Sequence, residues 1–344
     1  MRAQAEFSNQ VHPRVLVVVP CLNEERHIED LIDYLVADLG ELQAQIVVVD
    51  GGSTDRTVEI VQRLSDQGRG VHLIHNPRRF QSSSLNLAVD QFGSGFDYLL
   101  RLDAHGQYPG GYCSALLSEA ENLGADAVVV SMRSEGRTCF QKAAASAQNS
   151  ILGNGGSAHR NEAAGRWIDH GHHALVRIAS FRAIGGYDTD FSHNEDAEFD
   201  VRLRQAGFRI WLTGLTSMIY YPRLTVAGLF RQYFSYGAGR AKNALKHRQS
   251  LKVRQLLPLA VVPAVALLPF GVFLPLMMLP AAGWIASCLG VGLLLGLRER
   301  QWCAGLSGCA AMVMHLGWSC GFLRSFGSAA LDRAFRPLQV RNVQ

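Results

Sequence analysis

From Leu256 to Leu297 the chain runs 42 residues without a charged side chain. A bilayer is crossed by roughly 20 apolar helical residues, so two close-set helices fit this run, with a break expected near Pro280. A further uncharged run, Trp302 to Leu323, is rich in Gly and contains His315. It is expected to lie in the interface or to pair with a re-entrant segment. Charge divides the chain as well. Up to Asp200 there are 16 Lys and Arg against 27 Asp and Glu; after it there are 17 against two, Glu299 and Asp332. The first part reads as soluble and acidic, the second as basic and apolar.

Topology follows from the basic residues. Arg223 to Arg254 carries eight of them and no carboxylate, and Arg298 and Arg300 follow the apolar run. Positive flanks stay on the cytoplasmic side, which two spans satisfy. A third span carries Arg324, Arg333, Arg336 and Arg341 to the unfavourable side. Met1 to Arg14 is polar and has no signal-peptide pattern. The seven cysteines form no CxxC pair, and 344 residues can bury a core without stapling, so thiols in a reducing compartment are expected.

The acidic part alternates. Val15-Leu-Val-Val-Val19, closed by Pro20, is a continuous β-branched run of the kind buried on both faces of a parallel sheet. An amphipathic stretch with Ile28, Leu31, Ile32 and Leu35 follows, then strands at Gln45 to Val49, Val71 to His75, Tyr98 to Leu102 and Ala127 to Ser131, with Ser84 to Phe92 a helix. Such alternation predicts a doubly wound, Rossmann-like α/β sheet, mostly parallel, with helices on both faces. Ligands of such sheets sit beyond the carboxyl ends of the strands.

The polar residues at those ends carry the candidate chemistry. The first strand ends in Pro20-Cys-Leu-Asn-Glu24 and the second in Asp50-Gly-Gly-Ser-Thr-Asp55. Glu24 and Asp50 can accept hydrogen bonds from a nucleotide base or ribose. Asn23, Ser53 and Asp55 suit that role or, alternatively, helix capping. Asp103-Ala-His105 follows the fourth strand and is either a polar turn or a pair of ligands for a hard cation. His193-Asn-Glu-Asp196 opens a helix, where a carboxylate is either a general base or an acidic first turn. Arg202, Arg204 and Arg209 nearby suggest an Arg-rich pocket. His172 and His173 point to opposite sides of an extended strand, so at most one is expected to reach a ligand. In the basic stretch, Arg231, Tyr236 and Arg240 serve a diphosphate or contact anionic lipid.

Taken in order, these motifs resemble the family 2 glycosyltransferases. The resemblance runs through Pro20 to Glu24, Asp50 to Asp55, Asn76-Pro77 with Asn86, Asp103-Ala-His105 in place of Asp-x-Asp, Gly185-Gly-Tyr-Asp188, and Glu195-Asp196. It covers roughly residues 14 to 240. Within that family, Leu152-Gly-Asn-Gly-Gly-Ser157, Asp169-His-Gly-His-His-Ala174 and Ser192-His-Asn-Glu-Asp-Ala-Glu198 are similar to the ExoA-type enzymes of succinoglycan biosynthesis.

The resemblance implies a GT-A fold and an inverting transfer of glucose from UDP-glucose, β-1,3, to a galactose on undecaprenyl diphosphate. It implies nucleotide contacts at Pro20, Leu22, Glu24, Asp50, Arg79 and Asp103. It implies a divalent metal, Mg2+ or Mn2+, at Asp103 and His105, and Asp196 as base. His172, His173, Glu195, Arg231, Tyr236 and Arg240 are then left for acceptor and diphosphate. Two departures stand out: His105 replaces an aspartate, and no Gln-x-x-Arg-Trp follows the base, which favours single addition over processive synthesis.

The expected order is a tail (1–13), the GT-A domain (14–222), a basic juxtamembrane segment (223–255), transmembrane helices (256–325) and a second tail (326–344). The expected setting is the bacterial inner membrane, multi-pass, with the catalytic domain cytoplasmic. Expected partners are a nucleotide sugar, a lipid-linked saccharide and membrane lipid, not nucleic acid. A polyprenyl-monophosphate glycosyltransferase and a non-catalytic membrane scaffold are the alternatives. Gly153 to Arg166 reads as a mobile acceptor loop or a disordered stretch.

Overall fold

The computed structural model describes residues 13–155, 164–248, 251 and 253–335. Most of the Gly-rich stretch from Gly153 to Arg166 lies outside them, as do Arg336 and Arg341.

Strands and helices alternate from the start: β1 (Val15–Cys21), α1 (Ile28–Leu39), β2 (Ala44–Asp50), α2 (Thr57–Asp66), β3 (Val71–His75), α3 (Gln81–Phe92) and β4 (Tyr98–Arg101). Val15 to Val19 are buried at every position, which is why the run is apolar throughout rather than alternating. α1 buries Ile28, Leu31, Ile32, Leu35 and Leu39, a stripe at helical spacing. Next come α4 (Tyr112–Leu123), β5 (Ala127–Ser134), α5 (Cys139–Asn149), α6 (Ile151–Asn154), β6 (Arg166–Ile168), β7 (His172–Arg177), α7 (Ile178–Ala183), α8 (Glu195–Gln205) and β8 (Ile210–Tyr220).

The eight strands form one sheet in the order β3-β2-β1-β4-β7-β5-β8-β6. β3, β2, β1 and β4 are parallel. β7 runs antiparallel to both β4 and β5, and β6 antiparallel to β8. The expected mostly parallel sheet is thus a mixed one. The crossover through α4 leaves a gap between two co-directional strands, and β7 fills it in reverse. Strand order turns back at β1, with β2 on one side and β4 on the other, so the crevice for a ligand opens beyond these carboxyl ends.

The described residues fall into two compact units. The first takes the residues up to Val130, Ala164–Thr189 and Arg202–Thr216; the second takes those from Ser131, Asp190–Val201 and those from Ser217 onward. The second unit is helical: α9 (Val226–His247), α10 (Val253–Leu259), α11 (Val261–Ala266), α12 (Leu279–Glu299), α13 (Trp302–Gly305) and α14 (Ser307–Phe335). Its core joins Ala143, Ala144 and Ala147 of α5, Leu229 of α9, and Ala310, Ala311 and Met314 of α14.

Two expectations change here. Among the described residues one helix, Pro275–Glu299, is long and apolar enough to cross a membrane, and only 17% of its apolar window is buried. The first of the two expected spans is not a continuous helix. Pro258, Pro263 and Pro269 break it into α10, α11 and a 3₁₀ turn, Leu268–Val272. The Gly-rich run from Trp302 forms α13 and much of α14, whose glycines bring its backbone against α9 and α12. His315 is fixed there: the Trp284 indole donates to its Nδ1 (3.2 Å) and its Nε2 donates to Leu152 O (2.7 Å). The cysteines differ too, since Cys139 and Cys303 are disulfide-bonded, with Cα atoms 5.2 Å apart. Nothing in a separation of 164 residues announces that pair.

Candidate active site

The turns after β1 and β2 are laced together. Thr54 N donates to Asn23 Oδ1 (2.8 Å), Asn23 N to Ser53 Oγ (2.9 Å), Glu24 N to Thr57 Oγ1 (2.8 Å) and Glu25 N to Asp55 Oδ2 (3.1 Å). Asn23 and Ser53 are therefore cross-links between two turns, and Asp55 both cross-links them and receives the first amide of α2 (Thr57 N, 3.0 Å), while the N-cap positions themselves, His27 and Arg56, make no side-chain cap. Asn23 takes a left-handed backbone (φ 58°), which Asn tolerates. Burial pushes the Asp55 carboxyl up, but the Thr57 hydroxyl and amide and the Glu25 amide outweigh it and hold the group below the ordinary range. Burial, then Asp50 and Glu24, push the Cys21 thiol up to about 12, so it is an inert packing group.

Asp50 is buried, and its carboxylate accepts from Gly52 N (2.8 Å) and Ser53 N (3.1 Å), with His75 Nδ1 at 3.5 Å. Two of its acceptor positions thus already hold the Gly51-Gly52 turn. Gly51 is closely packed: a Cβ there would lie 3.2 Å from Arg79 O and 3.4 Å from Cys21 O. Arg79 is exposed, in a left-handed conformation (φ 64°), and its guanidinium faces Gly52. Leu22 is 45% exposed and Pro20 half-buried. Asn76 organises this loop from beneath, donating to Ser83 and Ser84 (2.9 Å each) and receiving Arg78 N.

Across the switch point lies Asp103. Its Oδ1 accepts from Gln81 Nε2 (2.8 Å) and the buried Arg101 Nε (3.3 Å), and His172 Nε2 is 3.8 Å from Oδ2. Tyr108 OH receives Asp103 N (2.7 Å) and donates to Asp103 O, which fixes the turn. His105 Nδ1 meets Glu24 Oε1 at 3.0 Å and so ties the β4 end to the β1 end. His173, next to His172 on β7, points to the opposite face and is 1% exposed. No group of three potential ligand side chains converges on one point among the described residues. The donor chemistry of Asp103 and His105 nonetheless fits a divalent cation that takes its other ligands from a diphosphate and water.

In the second unit, Glu195 and Asp196 open α8 and are half-buried, while Glu198 in the same turn is fully buried. On α9, Arg231 is exposed and its Nε donates to Ala227 O (3.3 Å); Tyr236 and Arg240 are half-buried.

The profile of glycosyl transferase family 2 matches residues 16–185. Succinoglycan biosynthesis protein ExoA of Rhizobium meliloti (strain 1021) is 54% identical over 313 residues, 90% of this chain and 94% of that protein. This chain belongs to glycosyl transferase family 2. It is also 22% identical, over 66% of its length and 72% of the relative's, to a dolichyl N-acetyl-alpha-D-glucosaminyl phosphate glucuronosyltransferase of Methanococcus voltae. The fold is that of mannosyltransferase PcManGT from Pyrobaculum calidifontis, a structure with GDP-Man and Mn2+ (TM-score 0.57, 21% identity, 89% of this chain and 88% of that one). The chain is a glycosyltransferase related to a protein of succinoglycan biosynthesis.

Several family 2 motif residues turn out to build the frame of the site. Asn86 pairs with the Tyr187 backbone in both directions (2.8 Å each), and a Cβ on Gly186, at φ 70°, would lie 2.5 Å from Asn86 Oδ1. Arg202 donates to Ile184 O and Gly186 O (2.7 Å each). Arg204 faces Asp169 at 3.7 Å and Arg209 stacks on Trp167. The expected Arg-rich pocket is thus three separate structural contacts. Arg101, Gln81 and Tyr108 are the Asp103 neighbours that sequence reasoning missed. Arg101 had a signal: a cation inside an otherwise apolar strand needs a buried partner.

Proposed function

We propose that this chain transfers one glucose from UDP-glucose, in β-1,3 linkage and with inversion, to a galactose on undecaprenyl diphosphate. The observation that carries this reading is the 54% identity to ExoA along nearly the whole of both chains. Glu24, Asp103, His105 and His172 gathered at the switch point support a nucleotide-sugar site there. Pro20, Leu22, Asp50 and Arg79 line the nucleoside side. Asp103 with His105 would hold Mg2+ or Mn2+, which when bound would supply Lewis-acid stabilisation of the leaving diphosphate.

The chain's own groups do the rest. Asp196 takes the proton from the acceptor hydroxyl as that oxygen attacks the anomeric carbon on the side opposite the diphosphate. His172 and Glu195 orient the acceptor, and Arg231, Tyr236 and Arg240 bind its diphosphate. The same reading sets the chain in the bacterial inner membrane as a multi-pass protein with its sheet in the cytoplasm. Val272 and Phe273, 85% and 87% exposed between the two apolar legs, support insertion at that point.

The test is a donor screen with the full chain in nanodiscs and undecaprenyl diphosphate galactose as acceptor, followed by linkage analysis. Glucose in β-1,3 linkage is expected. Transfer of another sugar in preference to glucose, or use of undecaprenyl monophosphate instead, overturns the assignment.

A further inference from the structure

α9 carries two working stripes. Phe230, Phe234 and Gly237 meet α14 backbone to backbone: a Cβ on Gly317 would lie 2.6 Å from Phe230 O, and one on Gly237 or Gly321 would collide with Trp318 O or Phe234 O. The other stripe, Tyr236, Gly239, Lys242 and Lys246, recurs at helical spacing and grips the segment from Asp190 to Glu198. Asn194 Nδ2 donates to Tyr236 O (2.7 Å), and a Cβ on Gly239 would lie 2.5 Å from His193 O. Lys242 donates to Asp190 O (2.6 Å) and sits over the Phe191 ring, 4.7 Å from its centroid.

Glu198 anchors this segment. It is 0% exposed, and its Oε1 receives Lys246 Nζ at 2.5 Å and faces His247 Nε2 at 3.1 Å, both from the last turn of α9. A carboxylate buried this completely is sustained only by such partners. The proposed reaction makes no use of it. Asp196 lies two residues earlier in the same helical turn, about 200° around the axis, so turning Glu198 inward directs Asp196 away from α9.

We propose that Glu198, Lys246 and His247 are positioning residues: they lock the first turn of α8 onto α9 and thereby set the direction of the Asp196 carboxylate. The inference rests on the reading of Asp196 as base. Lys242, Lys246 and His247 then serve the catalytic frame and not a lipid headgroup.

The test uses the full chain in nanodiscs with UDP-glucose and the lipid-linked galactose. Glu198→Gln and Lys246→Met are each expected to lower kcat by about 100-fold, the scale of a small misplacement of a reacting group, with donor KM within about twofold. Lys246→Arg keeps most of the activity. The double variant is no worse than Glu198→Gln alone, because the groups act as one unit. Amide exchange of Asp190–Glu198 accelerates in Lys246→Met while that of Asp50–Thr57 does not, a readout independent of turnover. If Glu198→Gln does not fold, Lys246→Met carries the measurement, since the Lys246 side chain is 37% exposed and leaves the Glu198 carboxylate facing His247. Unchanged kcat together with unchanged exchange overturns the proposal, as does additivity in the double variant. If Asp196→Asn itself retains transfer, the base reading fails and the inference with it. If Asp196→Asn is inactive while the latch variants turn over normally, the latch alone is wrong.

Discussion

Two carboxylates at turns of this molecule are buried by opposite means. Asp50, after β2, is held by backbone amides of its own turn, from Gly52 and Ser53. Glu198, in α8, is held by the Lys246 ammonium and the His247 ring of a helix some fifty residues further along. An amide-held carboxylate is built locally and keeps its partners whenever the turn forms. A cation-held one depends on two helices meeting, so it reports on tertiary structure and can be broken from either side. The turn after β2 is therefore self-contained, whereas the segment bearing Asp196 borrows its geometry from α9.

The largest expected effect separates chemistry from support. Asp196→Asn should lower transfer by about 10³-fold, or roughly 4 kcal/mol of transition-state stabilisation, with an unchanged melting curve; single-turnover transfer checks it. Next, Glu198→Gln removes the buried carboxylate that receives the Lys246 ammonium and faces the His247 ring. It should cost about 3 kcal/mol, at the lower edge for buried pairs because Lys246 is 37% exposed, read as a shift in the denaturation midpoint. Asp50→Ala removes the acceptor for the half-buried Gly52 and Ser53 amides and should cost about 1 kcal/mol while raising donor KM. Asp50→Asn keeps one acceptor and loses about half of that. A larger stability loss at Asp50 than at Glu198 would break the distinction drawn above.

The smallest effect is acid sensitivity. The Asp55 carboxyl is depressed, so the unfolded chain takes up its proton first. The stabilisation is fully present above the ordinary value of 3.8 and is lost as pH falls below it through the folded value. Asp55→Asn should flatten this acid limb in a pH series of melting curves and lower the neutral plateau by the stabilisation that the carboxylate supplies there.

Much of the first unit was legible in the chain because its information is local. Val15 to Val19 is apolar at every position since both faces are covered, and the polar residues after each strand fall where a switch point needs them. Periodicity reveals what a residue faces, not whom it meets. It could not show that β7 slips between β4 and β5, that Asn23 and Ser53 join two turns, or that Lys246 reaches Glu198. The apolar run was legible as a whole but not in its parts: hydropathy counts apolar residues, but Pro258, Pro263 and Pro269 divide the first leg. Arg101 was overlooked because one charge in a strand of four is outvoted by its neighbours.

The glycine contact between α9 and α14 bears on how the enzyme can be handled in the laboratory. Trimming the chain ahead of its apolar helices is the usual route to a soluble glycosyltransferase fragment. Here α14 follows those helices and supplies the wall on which α9 rests. A fragment that ends before Leu256 should keep its sheet and bind nucleotide, yet its α9 would have a bare flank and no fixed seat. Such a fragment makes a sound donor-binding reagent and a poor catalyst, and solubilising mutations on the outer surface of α12 are the better starting point.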